Sequence, residues 1–252
     1  MISDDAYFQK TVMDAWLHDF SGWDFHYLSG RWLESPLSWD YRQIVLDRMR
    51  GSSSMLDMGT GGGEFLSTLQ PFPVETYATE CYSPNIPIAQ RKLEPLGVKV
   101  YGLPDEHNLP FAESSLDLVI NRHEGYVANE VRRILKPGKS FVTQQVGGRN
   151  MIELNQVLQE KVDFMYSYWT LEYASHEFEQ AGFTIIDQRE EFPATAFKDI
   201  GAVVYYLKVI SWQVEGFSPG KYFHKLAAIH NTIQETGQFI AREHRFLIEA
   251  VK

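Results

Sequence analysis

Residues 55–65 read MLDMGTGGGEF, a short apolar run carrying Asp57, followed by Gly59, Gly61, Gly62 and Gly63. An apolar run that ends in glycines reads as a buried strand turning sharply, because glycine accepts backbone conformations closed to other residues and lets a ligand approach the chain. A helix is expected next, over 63–69, offering unpaired N–H groups to whatever the turn holds. A dinucleotide fingerprint needs its third glycine at position 64, where this chain has Glu64. A carboxylate there repels a pyrophosphate, so a ligand without phosphate is expected and a nicotinamide nucleotide is not.

Outward from that turn the pattern alternates. Strands are predicted over 54–58, 75–80, 98–103, 116–121 and 140–146, with helices over 63–69, 83–96 and 127–135. This order implies right-handed crossovers and a doubly wound α/β sheet. Beyond Gly147 the spacing predicts helices over 151–160 and 175–181, a strand after Gly182, and a last strand in FIAREHRFLIEAVK at 239–252. An insert over 197–237 reads as two helices split by GFSPG. Upstream, apolar residues at helical spacing predict helices over 5–20 and 40–49 joined by an aromatic loop. The expected organisation is an N-terminal helical cap or lid over 1–50 and a ligand-binding domain over 51–252 that carries the insert.

Composition narrows the partners. The 252 residues carry 23 Lys and Arg against 33 Asp and Glu, a net charge of -10 that disfavours nucleic acid. The lone Cys81 excludes an intrachain disulfide and a cysteine-rich zinc module. His176, His224, His230 and His244 show no metal-ligand spacing, so no metal is expected. The start of the sequence, MISDDAYFQK, lacks the basic and apolar regions of a signal peptide, and no run is long enough to span a bilayer. A cytoplasmic protein without membrane attachment is the expectation.

Two further acidic positions extend the glycine turn into a set. Glu80 ends the second strand about twenty residues on, where a carboxylate can accept both hydroxyls of a ribose. Asp105 and Glu106 follow the third strand, where an acid can accept from an adenine amino group. All lie at strand ends on one rim of one sheet.

With these residues in place, the sequence resembles the class I S-adenosylmethionine-dependent methyltransferases. The resemblance rests on LDMGTGGGEF, Glu80, PDEHNLPF, LDLVINRHE and RILKPGKSFVTQQV, and covers roughly 50–146. It implies a Rossmann-like sheet of seven strands with the last antiparallel, preceded by the helical insert, and S-adenosylmethionine as cofactor. It assigns Asp57, Gly59, Thr60 and Gly61 to the loop and the methionine end, Glu80 to the ribose, and Asp105 with Glu106 to the adenine. Cys81 or Tyr82 would flank the adenine, and Asn121 joins the cofactor residues. Lys139 departs from the family pattern in KPGKSF, at a turn away from that site.

The methyl on a sulfonium is already electrophilic, so the protein's share is alignment, exclusion of water and, for a protonated acceptor, removal of a proton. An in-line acceptor would sit near the end of the fourth strand, beside Asn121, Arg122, His123, Glu124 and Tyr126. His123 is the candidate for acceptor contact or general base, with Glu124 beside it; the same two side chains could equally fix their loop. Among the aromatics, periodicity places Trp16 in a core, whereas Trp23, Phe25, Tyr27 and Trp39 fit either a core or a lid that dries the site. The insert fits a pocket wall or a dimer face, so a homodimer is one expectation. The function expected is methyl transfer to a small or medium organic acceptor. An RNA or protein methyltransferase, and a non-catalytic binder of the cofactor or its product, are the alternatives, because a cofactor site does not report the acceptor.

Overall fold

A computed structural model describes residues 6–21, 25–162 and 166–252. In chain order its elements are α1 (Ala6–Leu17), β1 (Trp32–Glu34), α2 (Tyr41–Met49), β2 (Ser54–Met58), β3 (Glu75–Glu80), α3 (Ile86–Leu93), β4 (Lys99–Gly102) and β5 (Leu116–Arg122). There follow α4 (Ala128–Ile134), β6 (Leu135–Val146), α5 (Ile152–Leu158), α6 (Leu171–Gln180), β7 (Thr184–Glu191), β8 (Ala194–Phe197), α7 (Ile200–Val209), α8 (Phe223–Thr236), β9 (Phe239–Arg242) and β10 (Arg245–Val251). The chain groups into two compact units, one of 38–147, 168–190 and 245–252, the other of 1–37, 148–167 and 191–244.

The first unit holds a seven-stranded sheet ordered β4-β3-β2-β5-β6-β10-β7. β2 lies parallel to β3 and β5, β5 is parallel to β6, and β10 runs antiparallel to β6 with Leu247 opposite Gln144. This is the seven-stranded arrangement the sequence predicts, with the last strand reversed. β2 is buried along its whole length, as a central parallel strand covered on both faces requires. Leu56, Met58, Val119, Phe141, Phe178 and Phe246 supply the core of one face.

Asp117 fastens the sheet where its central strands begin. Its carboxylate accepts the N–H groups of Ser53 and Ser54 at 2.9 and 3.2 Å and pairs with Lys136 at 3.0 Å. Burial alone raises this carboxyl, but the Ser53 N–H, Lys136 and Lys139 outweigh it and bring its pKa down to about 2.

The second unit packs α1, α5, α7 and α8 about one core that includes Phe8, Leu28, Leu154, Phe197 and Tyr205. Trp16, Phe20, Phe25, Tyr27 and Trp32 pack against that core, so these N-terminal aromatics and the insert helices share one interior. Trp23, counted with the loop aromatics, lies outside the described residues. A three-stranded sheet β1-β8-β9 belongs to the same unit. Asp199 caps α7 through the Ala202 N–H at 2.9 Å and holds Arg31 with both oxygens, at 2.6 and 2.8 Å.

Two local expectations are corrected. No α-helix follows the glycine turn: 63–69 contains only a 3₁₀ turn at Leu66–Thr68. Gly63 at φ +82 cannot start a regular helix, and Pro71 and Pro73 stop one soon after. The final segment is two strands in two sheets, β9 and β10, parted at Glu243 and His244. There Glu243 accepts from the Thr195 hydroxyl at 3.1 Å, and the His244 N–H donates to Asn150 at 3.2 Å. The His244 bond occupies a main-chain N–H that a continuous ladder would need. Among the described residues no helix is long and apolar enough to cross a membrane.

A carboxylate with a depressed pKa contributes stability only while it is ionised. Asp117→Asn is therefore expected to lose about 1 to 2 kcal/mol at neutral pH, a cost that fades as pH falls from about 4 toward 2. Denaturant midpoints of the two proteins, measured down that range, should converge.

Candidate functional site

The carboxyl ends of β2, β3 and β5 form the rim on which most of the predicted residues meet. β2 delivers Asp57, which is 3% exposed, and the chain then turns through Gly59 at φ +67 and Gly61 at φ +63. The Thr60 N–H donates to the Thr79 carbonyl at 2.9 Å, tying the turn to β3. Gly63 has its own packing role: a Cβ there would lie 2.7 Å from the Leu93 side chain of α3.

Glu80 ends β3 with its carboxylate facing that turn. It accepts the Tyr82 N–H at 2.7 Å, and desolvation raises its pKa against the N–H groups of Tyr82, Gly61 and Cys81. The glycine turn and the ribose acid expected from the sequence are thus in direct contact. Asp57 is raised to about 7, by burial first and by Glu80, with Thr60 and Arg122 opposing. The Thr60 hydroxyl is buried and makes no hydrogen bond of ordinary geometry.

Two more carboxyls complete the group. Glu124 folds back over the turn, so that a Cβ on Gly59 would lie 2.2 Å from its Cγ. Burial, then Glu106 and Glu80, raise Glu124 to about 7 against the Gly125 N–H that it accepts at 3.0 Å. Glu106 lies beside Gly125 and interacts with both Glu124 and Cys81. Burial and these acids push the Cys81 thiol up to about 12, so it stays protonated at neutral pH. Asp105 stands apart: it is exposed, and its carboxylate accepts the His107 N–H at 2.9 Å within its own loop.

The loop after β5 rests on a buried amide network. Asn121, fully buried, accepts from Thr143 at 3.1 Å and Gln145 at 2.7 Å and donates to the Gly125 carbonyl at 3.2 Å. Tyr41 of α2 donates to the Asn121 carbonyl at 2.9 Å. His123 follows in the left-handed conformation at φ +64, fixed by its N–H to the Gln144 carbonyl at 2.8 Å. His123 is an exposed residue whose Nε2 rests against Gln144. Desolvation, then Arg245 and Arg122, hold its pKa well below the ordinary value.

Thr143, Gln145 and Arg245 were not among the predicted site residues. Gln144 and Gln145 end β6, where alternation aims only one of two neighbours toward the cleft, but the strand order that brings Arg245 near His123 is not legible locally. Among the described residues no three His, Cys, Asp or Glu side chains are grouped to hold a metal ion.

The rim fits a nucleoside carrying positive charge. Four acids crowd it, and the Glu64 carboxylate, paired with Lys92 at 3.0 Å, lies over Gly62. A diphosphate on this turn would face that charge; a sulfonium or an ammonium would be attracted by it.

A family model described as a methyltransferase domain matches residues 56–143, from the middle of β2 into β6. Over these residues the chain is similar to methyltransferase domains. The chain is similar in sequence to the biotin biosynthesis bifunctional protein BioHC of Cellvibrio japonicus, 28% identical over 134 residues. The match covers 50% of this chain and 26% of BioHC, so the chain spans about a quarter of that relative. In structure the chain resembles a putative methyltransferase of Bacillus halodurans (BH2331), with TM-score 0.62, 18% identity and coverage of 84% and 98% of the two chains. It also resembles the YcgJ protein of Bacillus subtilis, with TM-score 0.61, 14% identity and coverage of 84% and 97%. The family implies S-adenosylmethionine as the cofactor of the methyltransferase domain.

An acid whose pKa is raised on folding binds its proton more tightly in the native state, so it weakens the fold as pH climbs from its unfolded value to its folded one. Glu124→Gln should therefore stabilise the protein by about 1 to 3 kcal/mol near pH 8 and by much less below about pH 5. Thermal melts at the two pH values measure the difference; equal effects at both would remove Glu124 from the shared carboxyl group.

Proposed function

We propose that this chain transfers a methyl group from S-adenosylmethionine to a small or medium organic acceptor. The observation that carries the reading is Glu80 at the end of β3, whose carboxylate takes the N–H groups of the glycine turn and of Tyr82. That contact sets a ribose acid against a loop with no room for side chains, within a methyltransferase domain.

In this reading Gly59, Thr60 and Gly61 hold the methionine end together with Asp57, Glu80 takes the ribose diol, and Glu106 and Cys81 flank the adenine. Asp105 joins the adenine end by shaping the loop that carries Glu106. Asn121 supports the cofactor from below, its amide already engaged with Thr143, Gln145 and Gly125. The bound cofactor supplies an electrophilic methyl, and the chain's residues orient the two reactants and keep water away. His123 contacts the acceptor, and Glu124 fixes the loop that presents it. The charge of -10 and the acids of the rim favour a small molecule over RNA or DNA.

Calorimetry with S-adenosylhomocysteine tests the cofactor half. Saturable binding is expected, with no saturable binding of NADH, and Glu80→Gln should weaken it about tenfold or more by removing the paired acceptor of the diol. For the acceptor half, His123→Ala should lower methyl transfer to a metabolite pool while leaving S-adenosylhomocysteine affinity nearly unchanged. Equal losses in both would take His123 away from the acceptor.

A further inference from the structure

The ring of His123 is tied to Trp39 through one amide. Trp39, 6% exposed, donates its indole N–H to Gln144 Oε1 at 2.8 Å, and Gln144 Nε2 lies 3.1 Å from His123 Nε2. Gln144 itself is 4% exposed, and its carbonyl accepts the His123 N–H at 2.8 Å, so one residue grips both the backbone and the ring.

The direction of each bond follows from what these groups can do. An indole N–H only donates, so it fixes Gln144 with the oxygen toward Trp39 and the NH₂ toward the histidine. An amide NH₂ also only donates, which leaves His123 Nε2 as the acceptor. A neutral imidazole has one N–H, and that N–H is then on Nδ1. A second proton on Nε2 would set two donors against each other. The charged groups that act on the ring, Arg122 on β5 and Arg245 on β10, are both cationic and disfavour the imidazolium as well.

We infer that Trp39 and Gln144 are positioning residues that lock His123 as the neutral Nδ1–H tautomer, which makes it a hydrogen-bond donor to an anionic oxygen of the acceptor and not its base. The basic lone pair of the ring is already taken by Gln144. Nδ1 makes no hydrogen bond among the described residues, and His123 is an exposed residue. A neutral N–H of this kind suits an oxygen acceptor such as a carboxylate or an enolate. An acceptor of this kind arrives already deprotonated and needs no general base.

The inference rests on the acceptor-side placement of His123 proposed above, but its test does not. Long-range proton–nitrogen correlation spectra of the isotope-labelled full chain, recorded without cofactor, report which ring nitrogen is bare. The His123 ring is assigned by its loss in His123→Asn. Wild type should show Nδ1 protonated and Nε2 bare across about pH 6 to 8. In Gln144→Glu the carboxylate replaces the donor, so Nε2 should become protonated and the ring pKa should rise by about one pH unit or more. Trp39→Phe frees the amide to turn, and the ring should become a mixture of tautomers. A wild-type ring protonated on Nε2 overturns the inference. So does an unchanged tautomer in Gln144→Glu or, should that variant not fold, in Trp39→Phe. Absence of S-adenosylhomocysteine binding would sink the methyl-transfer reading and leave these spectra untouched.

Discussion

Burying carboxyl groups close together is costly, and the rim of this sheet does so with Asp57 and Glu80, beside the half-buried Glu106 and Glu124. The strands leave little choice about where these side chains go. β3 and β5 lie parallel on either side of β2, so three strand ends arrive at one edge. The acids they carry cannot all be ionised at neutral pH without repulsion, and both Asp57 and Glu124 are raised to about 7. Main-chain N–H groups offset part of that cost at Glu80, and the Gly125 N–H does so at Glu124. The remainder is a standing preference for a cationic ligand, which is why the charge of the site and the identity of the cofactor are one question.

The reversed strand extends this arrangement. Because β10 enters antiparallel beside β6, its first residue, Arg245, lies opposite Val146 at the same edge where β6 ends. A parallel strand in that place would bring its last residue, not its first, to the rim. The reversal thus brings a second guanidinium, after Arg122 of β5, to the His123 side of the rim. Arg122 and Arg245 act on His123, while Glu124 of the same loop is grouped with Glu80 and Glu106.

Much of this was legible from residue order alone. The strands over 54–58 and 75–80 appear with the predicted bounds, since buried parallel strands are short apolar runs stopped by unmistakable punctuation. The helix over 63–69 was misread because a strand, a glycine turn and apolar residues at Phe65, Leu66 and Leu69 imitate a helix start, while the left-handed Gly63 and the prolines at 71 and 73 forbid one. FIAREHRFLIEAVK was misread as one strand because alternation cannot reveal a change of sheet. Which of Asp105 and Glu106 joins the acids depended on a side-chain bond inside the loop, and the link from Trp39 to Gln144 spans 105 residues of sequence. Neither leaves a local pattern.

The missing helix bears on the chemistry. A turn that opens an α-helix presents aligned N–H groups and the positive end of a macrodipole, the setting that suits a phosphate. Here the segment after Gly63 makes only a 3₁₀ turn, and the nearby N–H groups of Gly61, Cys81 and Tyr82 are directed at the protein's own Glu80. The donors that would bind an anion are thus occupied by an internal carboxylate. What the rim offers outward is acceptor oxygen, which selects hydroxyl, amino and cationic groups. A ribose diol, an adenine amine, an ammonium and a sulfonium are such groups, so the absence of a full helix and the surplus of acids argue for the same class of ligand.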